Sequence, residues 1–157
     1  MRRLLYEAIA IGAFAAVFAA SGYGQTGACG LLSRAAIAKA TGLHVAKGKE
    51  GPPIAGSLSN CTWLGPNGVK IVVTVADAAP MQITMQSQIE SGAAQYPGIG
   101  ASAVGTAGNA ETEGGYNMSI LDAKGGVAVS ILGNAGTGER TVALAKAIEA
   151  RRQPSQP

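Results

Sequence analysis

The two cysteines of this 157-residue chain, Cys29 and Cys61, constrain its fold more than any other feature. Two cysteines allow one disulfide connectivity. A bridge between them would close a loop of about 33 residues and stabilise the fold by roughly 3–4 kcal/mol on the chain-entropy account. The alternatives are free thiols and lipid attachment at Cys29. Lipid attachment usually needs an aliphatic residue three positions before the cysteine, where Thr26 stands. A disulfide is therefore the favoured interpretation.

The N-terminal residues, 1–24, have the layout of a secretory signal peptide. Arg2 and Arg3 precede an apolar run from Ile9 to Ala20, and small residues follow. This run is shorter than the ~20 residues that a membrane-spanning helix needs. We predict cleavage after Ala19 or a few residues later, which gives a periplasmic or secreted protein. The alternative is an uncleaved segment that anchors the protein in a membrane, and membrane contact is expected only in that case.

Composition favours one folded domain, over residues 25–150, followed by a flexible tail at 151–157. The chain is 47% hydrophobic but only 13% charged, so it is unlike a disordered chain. Its net charge of +3 falls to +2 once the signal peptide is removed. Nucleic-acid binding normally needs a clustered basic face, and we predict none here. Lys47, Lys49 and the terminal Arg151 and Arg152 are expected to be solvated.

Three helices are predicted. The first spans 34–41, because Ser33 is a good N-cap and Gly42 suits the left-handed residue that ends a helix. The second runs from near Pro80 to Gly92, with Met81 and Met85 on one stripe. A Met-rich stripe can serve as an adaptable binding surface, but a role in the core is preferred. The third is predicted over residues 137–150, with a threonine cap.

Two β-hairpins are predicted from alternating apolar residues. The first joins residues 61–64 to 69–75 through the turn sequence GPNG, and the second joins 116–120 to 127–131 through DAKGG. The glycine-rich stretch before the second hairpin is expected to form a turn into a short further strand. The predicted order is α-ββ-α-ββ(β)-α. Such a chain should form an antiparallel sheet with helices packed on one face, an α+β fold.

No catalytic motif is recognised in the sequence. His44 is the only histidine, and a Ser-His-Asp triad would have to combine it with Asp77 or Asp122. No serine lies in a Gly-x-Ser-x-Gly frame. Glu111 and Glu113 would share one face of a strand, but exposed turn charges are the preferred interpretation. We therefore expect no catalytic residue, no metal site and no cofactor, with a hydrolase that uses His44 as the alternative.

Irregular connections are the candidate interaction loops, because binding residues concentrate on loops. One such segment is 44–60 and another is 98–115. The glycines of the second do not form a phosphate loop, since no Lys-Ser/Thr pair follows them. The residues predicted to take part in binding are His44, Lys47, Lys49, Gly98, Gly100 and Gly105.

The order of these motifs resembles a class of small bacterial secreted proteins and lipoproteins of unknown function, notably from actinobacteria. The matching stretches are CGLLSRAAIAKATG, CTWLGPNGVKIVVTV, YPGIGASAV and ALAKAIEAR, and they cover about residues 28–150. The resemblance implies a disulfide between Cys29 and Cys61 and an envelope location, and it supplies no catalytic residues. Trp63 is expected to pack on the disulfide. The predicted function is a non-enzymatic domain that binds an envelope protein or a small ligand.

Overall fold

The computed structural model describes residues 27–54, 56–108 and 114–153. The predicted signal peptide, Glu111, Glu113 and residues 154–157 lie outside the described residues. Within these ranges the helices are α1 (Ala28–Leu31), α2 (Arg34–Thr41), α3 (Ala78–Glu90) and α4 (Gly138–Arg152). The strands are β1 (Lys49–Gly51), β2 (Ser57–Leu64), β3 (Lys70–Ala76), β4 (Ala94–Gln95), β5 (Ser102–Ala107), β6 (Tyr116–Asp122) and β7 (Gly125–Leu132).

The strands form one antiparallel sheet in the order β1-β2-β3-β7-β6-β5-β4. The two predicted hairpins are β2–β3 and β6–β7, and they meet where β3 pairs with β7. The further strand expected from the glycine-rich stretch is β5. The short strands β1 and β4 close the two edges. The predicted α+β class is confirmed.

The turn of the first hairpin sets its register. Pro66–Gly68 forms one 3-10 turn, in which Asn67 has a φ of 56°. Asparagine is among the few non-glycine residues that adopt this left-handed conformation readily. The turn places Trp63 opposite Ile71 and Cys61 opposite Val73. The cysteine and the tryptophan therefore lie on the same face of the sheet as the alternating apolar residues of β3.

This face, called here the core face, carries the main hydrophobic core. Alternate residues of the central strands point into it, and they contact the buried faces of α1, α2 and α4. Ser33 caps α2 by accepting a hydrogen bond from the Ala36 N–H group, and Gly42 ends it with a φ of 72°, as predicted. The fully buried side chains of this core include Ile37, Ile71, Val73, Val127, Val129, Ile131, Leu144 and Ile148.

The remaining helix, α3, packs on the opposite face of the sheet, called here the second face. Met81 and Met85 are buried there in a separate cluster with Ala76 and Val104, which confirms their role in the core. The expectation that helices cover one face thus holds for α1, α2 and α4 but not for α3. The reason is that β5, β6 and β7 also carry small or apolar residues on their second face, which α3 contacts.

Two local features differ from the expectations. The tail that was expected to be flexible from residue 151 is helical at its start, because Arg151 and Arg152 complete the last turn of α4. Arg152 is also buried rather than solvated. The one-turn helix α1 was not predicted. It is held by tertiary contacts, since the Ala28 N–H group donates a 2.9 Å hydrogen bond to Ser59 Oγ on β2 and Cys29 is bonded to Cys61.

Candidate interaction surface

The predicted interaction loops lie at opposite edges of the sheet. His44, Lys47 and Lys49 are exposed on the segment that leads into and begins β1. Gly98 and Gly100 lie in the turn between β4 and β5 at the other edge. Five strand spacings separate β1 from β5, which corresponds to about 24 Å. The structure therefore does not combine the two segments into one site.

His44 lies far from both aspartates that could complete a triad with it. The His44 backbone lies close to Gly65, beside the end of the sheet where β3 begins. Asp77 follows the other end of β3, and Asp122 lies at that same far end through the pairing of Ala76 with Gly126. The length of β3 places these groups about 20 Å apart. Neither aspartate can therefore orient the His44 ring.

Cys29 and Cys61 form a disulfide, with their Cα atoms 5.0 Å apart. This excludes free thiols and a lipid at Cys29, and it is typical of oxidising compartments outside the cytoplasm. Trp63 is buried on the same face as Cys61. A Cβ atom on Gly48 would lie 2.6 Å from the Trp63 ring and 2.8 Å from Cys61 Sγ. The Gly48 backbone, the Trp63 indole ring and the disulfide are therefore closely packed against one another.

Gly105 is buried in β5, beneath two tyrosines, rather than in an exposed loop. The hydroxyl groups of Tyr96 and Tyr116 are hydrogen-bonded over it. Burial, followed by this hydrogen bond and the neighbouring Tyr96 phenol, raises the pKa of Tyr116 to about 12. A phenol that stays neutral at physiological pH donates or accepts hydrogen bonds but supplies no charge. The pair is therefore a structural tie between β6 and the segment beside β4.

The second face contains a surface that α3 does not cover, called here the open patch. One row of side chains crosses five strands in register, and a second row continues it toward the ends of β2, β3 and β7. These side chains are half-buried, except that Leu64 is 54% exposed. The open patch consists of Thr62, Val72, Ser130, Asn117 and Thr106 in the first row and Leu64, Lys70 and Leu132 in the second.

The open patch has a lysine at its border. Lys49 of β1 is paired with Thr62, so it lies on the second face at the edge of the patch. Glu50 is paired with Cys61 and belongs to the core face. The predicted interaction segment that contains Lys47 and Lys49 is therefore continuous with the patch. The sequence signals for it were weak: Val72 and Leu132 are apolar residues on the face opposite the main core.

Other kinds of site receive no support from the described ranges. Among those residues, no three His, Cys, Asp or Glu side chains come together as metal ligands. Nor does any helix in the same ranges combine the length and apolarity needed to cross a membrane. Comparisons with protein-family models, curated proteins and solved structures found no match.

Proposed function

We propose that this chain is a periplasmic or secreted, non-enzymatic domain that binds a partner protein of the cell envelope through the open patch. The observation that supports the proposal is the incomplete cover of the second face. Helix α3 contacts β5, β6 and β7, and its buried side chains cluster with Ala76 and Val104, while the row from Thr62 to Thr106 lies outside this cluster and is half-buried. The disulfide supports the oxidising location, since such bonds persist outside the cytoplasm.

A protein partner suits this surface better than a small ligand. Small-molecule sites are usually concave and enclose most of their ligand. The open patch is the face of a β-sheet, with side chains such as Val72 and Ser130 standing side by side in register. A sheet face of hydroxyl, amide and branched apolar groups offers contact area rather than enclosure. Leu64 supplies the most exposed apolar side chain of the patch.

The charge of the border indicates the chemistry of the partner. Lys49 is exposed at the border of the open patch. This border therefore complements a protein patch with an acidic group on its rim, and such complementarity mainly affects association rate and specificity. The patch measures roughly 24 Å by 12 Å, or about 300 Å². This is below the ~800 Å² per partner of a standard interface, so the complex should be transient or include the 44–49 segment.

Site-specific photo-crosslinking in the native host tests the proposal. A photoreactive amino acid replaces Ser130 in the open patch, and in a matched chain it replaces Gln86 on the exposed side of α3. We expect an adduct of discrete mass from position 130 and none from position 86. Lys49→Glu should weaken the adduct, because it reverses the charge at the border of the patch. Circular dichroism checks that each variant is folded.

Two outcomes would contradict this function. Equal adducts from positions 130 and 86 would mean that the open patch does not select the partner. No adduct at either position, together with a small molecule retained by the purified protein in native mass spectrometry, would favour a ligand-binding domain. Insensitivity of the adduct to Lys49→Glu would overturn the acidic character assigned to the partner while leaving the patch itself supported.

A further inference from the structure

A cluster of charged side chains lies buried at the end of α4, far from the open patch. Glu149 and Arg152 belong to the last turn of the helix, and they are 6% and 8% exposed. Asp122 ends β6, and its side chain is 16% exposed. Ile148 and Arg152 lie on the same side of α4 as Leu144, and Glu149 lies next to them. Charged residues at inward-facing positions need partners or a proton, because burial disfavours charge.

The hydrogen bonds of the cluster tie α4 to the β6–β7 hairpin. Arg152 Nη2 donates to Asp122 Oδ1 at 2.8 Å and to the carbonyl oxygen of Gly125 at 3.4 Å. The Lys124 N–H group also donates to Asp122 Oδ1, at 2.7 Å. A hydrogen bond with Asp122 is among the causes that raise the pKa of Glu149. One aspartate thus joins the turn of the hairpin to the helix arginine.

A proton on Glu149 suits this cluster. A hydrogen bond between two carboxyl groups needs one of them to be protonated. The guanidinium of Arg152 is already bonded to Asp122 at 2.8 Å, while Glu149 Oε1 has no hydrogen-bond partner among the described residues. Burial is the largest cause that raises the pKa of Glu149, and the charge of Asp122 adds to it. Arg152 and Lys124 oppose this rise, and the hydrogen bond with Asp122 reinforces it. Glu149 therefore keeps its proton to a higher pH than an ordinary glutamate does.

Ionised Glu149 would be poorly accommodated. Its Oε1 atom and Arg152 Nη1 are buried and have no hydrogen-bond partner among the described residues. Loss of the proton would break the hydrogen bond to Asp122 and leave a second negative charge beside it. An uncompensated buried charge is strongly destabilising, and the local structure responds by opening to water. The last turn of α4 is the element that would open, since it carries Glu149.

The turn between β4 and β5 depends on the same cluster. A Cβ atom on Gly100 would lie 3.5 Å from Glu149 Oε2, so this turn lies directly against the glutamate. The Ala101 N–H group donates a 2.8 Å hydrogen bond to the carbonyl oxygen of Leu121, next to Asp122. Residues 97–102 contain no ionisable side chain. The charges that act on Glu149 are thus those of Asp122, Lys124 and Arg152.

We propose that Asp122, Glu149 and Arg152 form a proton-operated clamp that holds the end of α4 and the Gly98–Gly100 turn against the β6–β7 hairpin. In acid, the protonated carboxyl group of Glu149 donates a hydrogen bond to Asp122, and the clamp is closed. As the pH rises, Glu149 ionises, the last turn of α4 opens and the Gly98–Gly100 turn is released. The clamp makes this edge of the domain sensitive to external pH, independently of the open patch.

The direction of the pH effect follows from proton linkage. The folded state raises the pKa of Glu149 above its unfolded value, so the folded state binds the proton more tightly. The stabilisation by the clamp is complete below the ordinary pKa of a glutamate and is lost as the pH rises through the raised value. Because one proton is involved, the opening equilibrium changes at most about tenfold per pH unit.

Hydrogen exchange of the wild-type protein tests the clamp. Protection factors, which divide out the intrinsic exchange rate, are measured from about pH 4 to about pH 9 for the amides of Ala101 and Gln153. Gln153 donates to the carbonyl oxygen of Glu149 at 2.9 Å. Both amides should lose protection toward high pH by up to about tenfold per unit. The Gly42 amide, bonded to Ala38 on α2, should show no such loss and is the internal control.

Two variants separate the clamp from general effects of pH. Glu149→Gln retains a donor for Asp122 but has no proton to lose, so protection at Ala101 should become independent of pH. Glu139→Gln removes an exposed carboxylate from the first turn of the same helix and should behave like the wild type. If Glu149→Gln does not fold, a carboxyl ¹³C titration of the wild-type protein gives the pKa of Glu149 directly. An ordinary pKa, or wild-type protection that does not change with pH, overturns the proposal.

Discussion

The hydroxyl oxygens of Tyr96 and Tyr116 lie 2.6 Å apart above the backbone of Gly105. A Cβ atom at position 105 would come within 3 Å of both rings, so the glycine provides the space in which the two phenols meet. Tyr96 precedes the turn that leads into β5, and Tyr116 begins β6. This contact therefore holds the sheet edge at β4 to the body of the sheet.

Tyr116→Phe should lower the free energy of unfolding by about 1 kcal/mol near neutral pH, because it removes one partly buried hydrogen bond. The wild type should lose stability between pH 10 and about 12, since the raised pKa of Tyr116 means that the unfolded chain ionises first. The difference in the free energy of unfolding between the wild type and Tyr116→Phe should therefore shrink over this pH range. Urea unfolding at about pH 8 and about pH 11 measures this.

Tyr96→Phe is the matched control for that experiment. It removes the same hydrogen bond but leaves the burial of Tyr116, the largest cause of its raised pKa. The loss of stability at high pH should therefore persist in Tyr96→Phe and disappear in Tyr116→Phe. The same alkaline loss in both variants would show that another group titrates.

Replacing both cysteines, as Cys29→Ala with Cys61→Ala, should lower the free energy of unfolding by about 3 kcal/mol. The disulfide closes a loop between residues 32 positions apart and fixes α1 against β2. Chemical denaturation with and without a reducing agent measures the effect. Reductant should destabilise the wild type to the level of the double variant and leave the double variant unchanged. A wild type indifferent to reductant would mean that the bridge adds no stability.

Gly126→Ala tests the position of α3. A Cβ atom on Gly126 would overlap Met81 Cβ and Cγ, so the helix or the strand must shift. Overpacking of this kind typically costs about 1–3 kcal/mol. Ser130→Ala, on the same strand and face but outside the cover of α3, is the control and should change stability by less than about 0.5 kcal/mol. Equal stabilities of the two variants would contradict the packing of α3 on the second face.

Gly48→Ala tests the close packing beside the disulfide. The added methyl group would press against the Trp63 ring and Cys61 Sγ, and we expect a loss of about 1–3 kcal/mol. Trp63 is the only tryptophan, so its fluorescence reports on this point alone. The emission should shift to longer wavelength if the ring becomes more exposed. Lys47→Ala, an exposed neighbour, should leave both stability and emission unchanged, and a similar response from it would argue against specific packing at Gly48.

Local signals in the sequence were sufficient where one residue carries the structural requirement by itself. Ser33 and Gly42 bound α2 as expected, because a side-chain cap and a left-handed residue act within one turn of backbone. Alternation in β3 likewise predicted the buried face of the first hairpin, since side chains in a strand point to opposite sides in turn. The candidate site was predicted only in part: Lys47 and Lys49 were singled out, but the open patch was not.

The sequence by itself determined the α+β class, the two hairpins, most helix limits and the only possible disulfide pairing, all of which follow from short-range periodicity, capping and residue count. Only the tertiary structure decided which face α3 covers, and therefore which surface stays open. It also decided that Arg152 is buried against Asp122, 30 residues earlier in the chain. These relationships depend on how strands distant in sequence pair, and no local pattern encodes that choice.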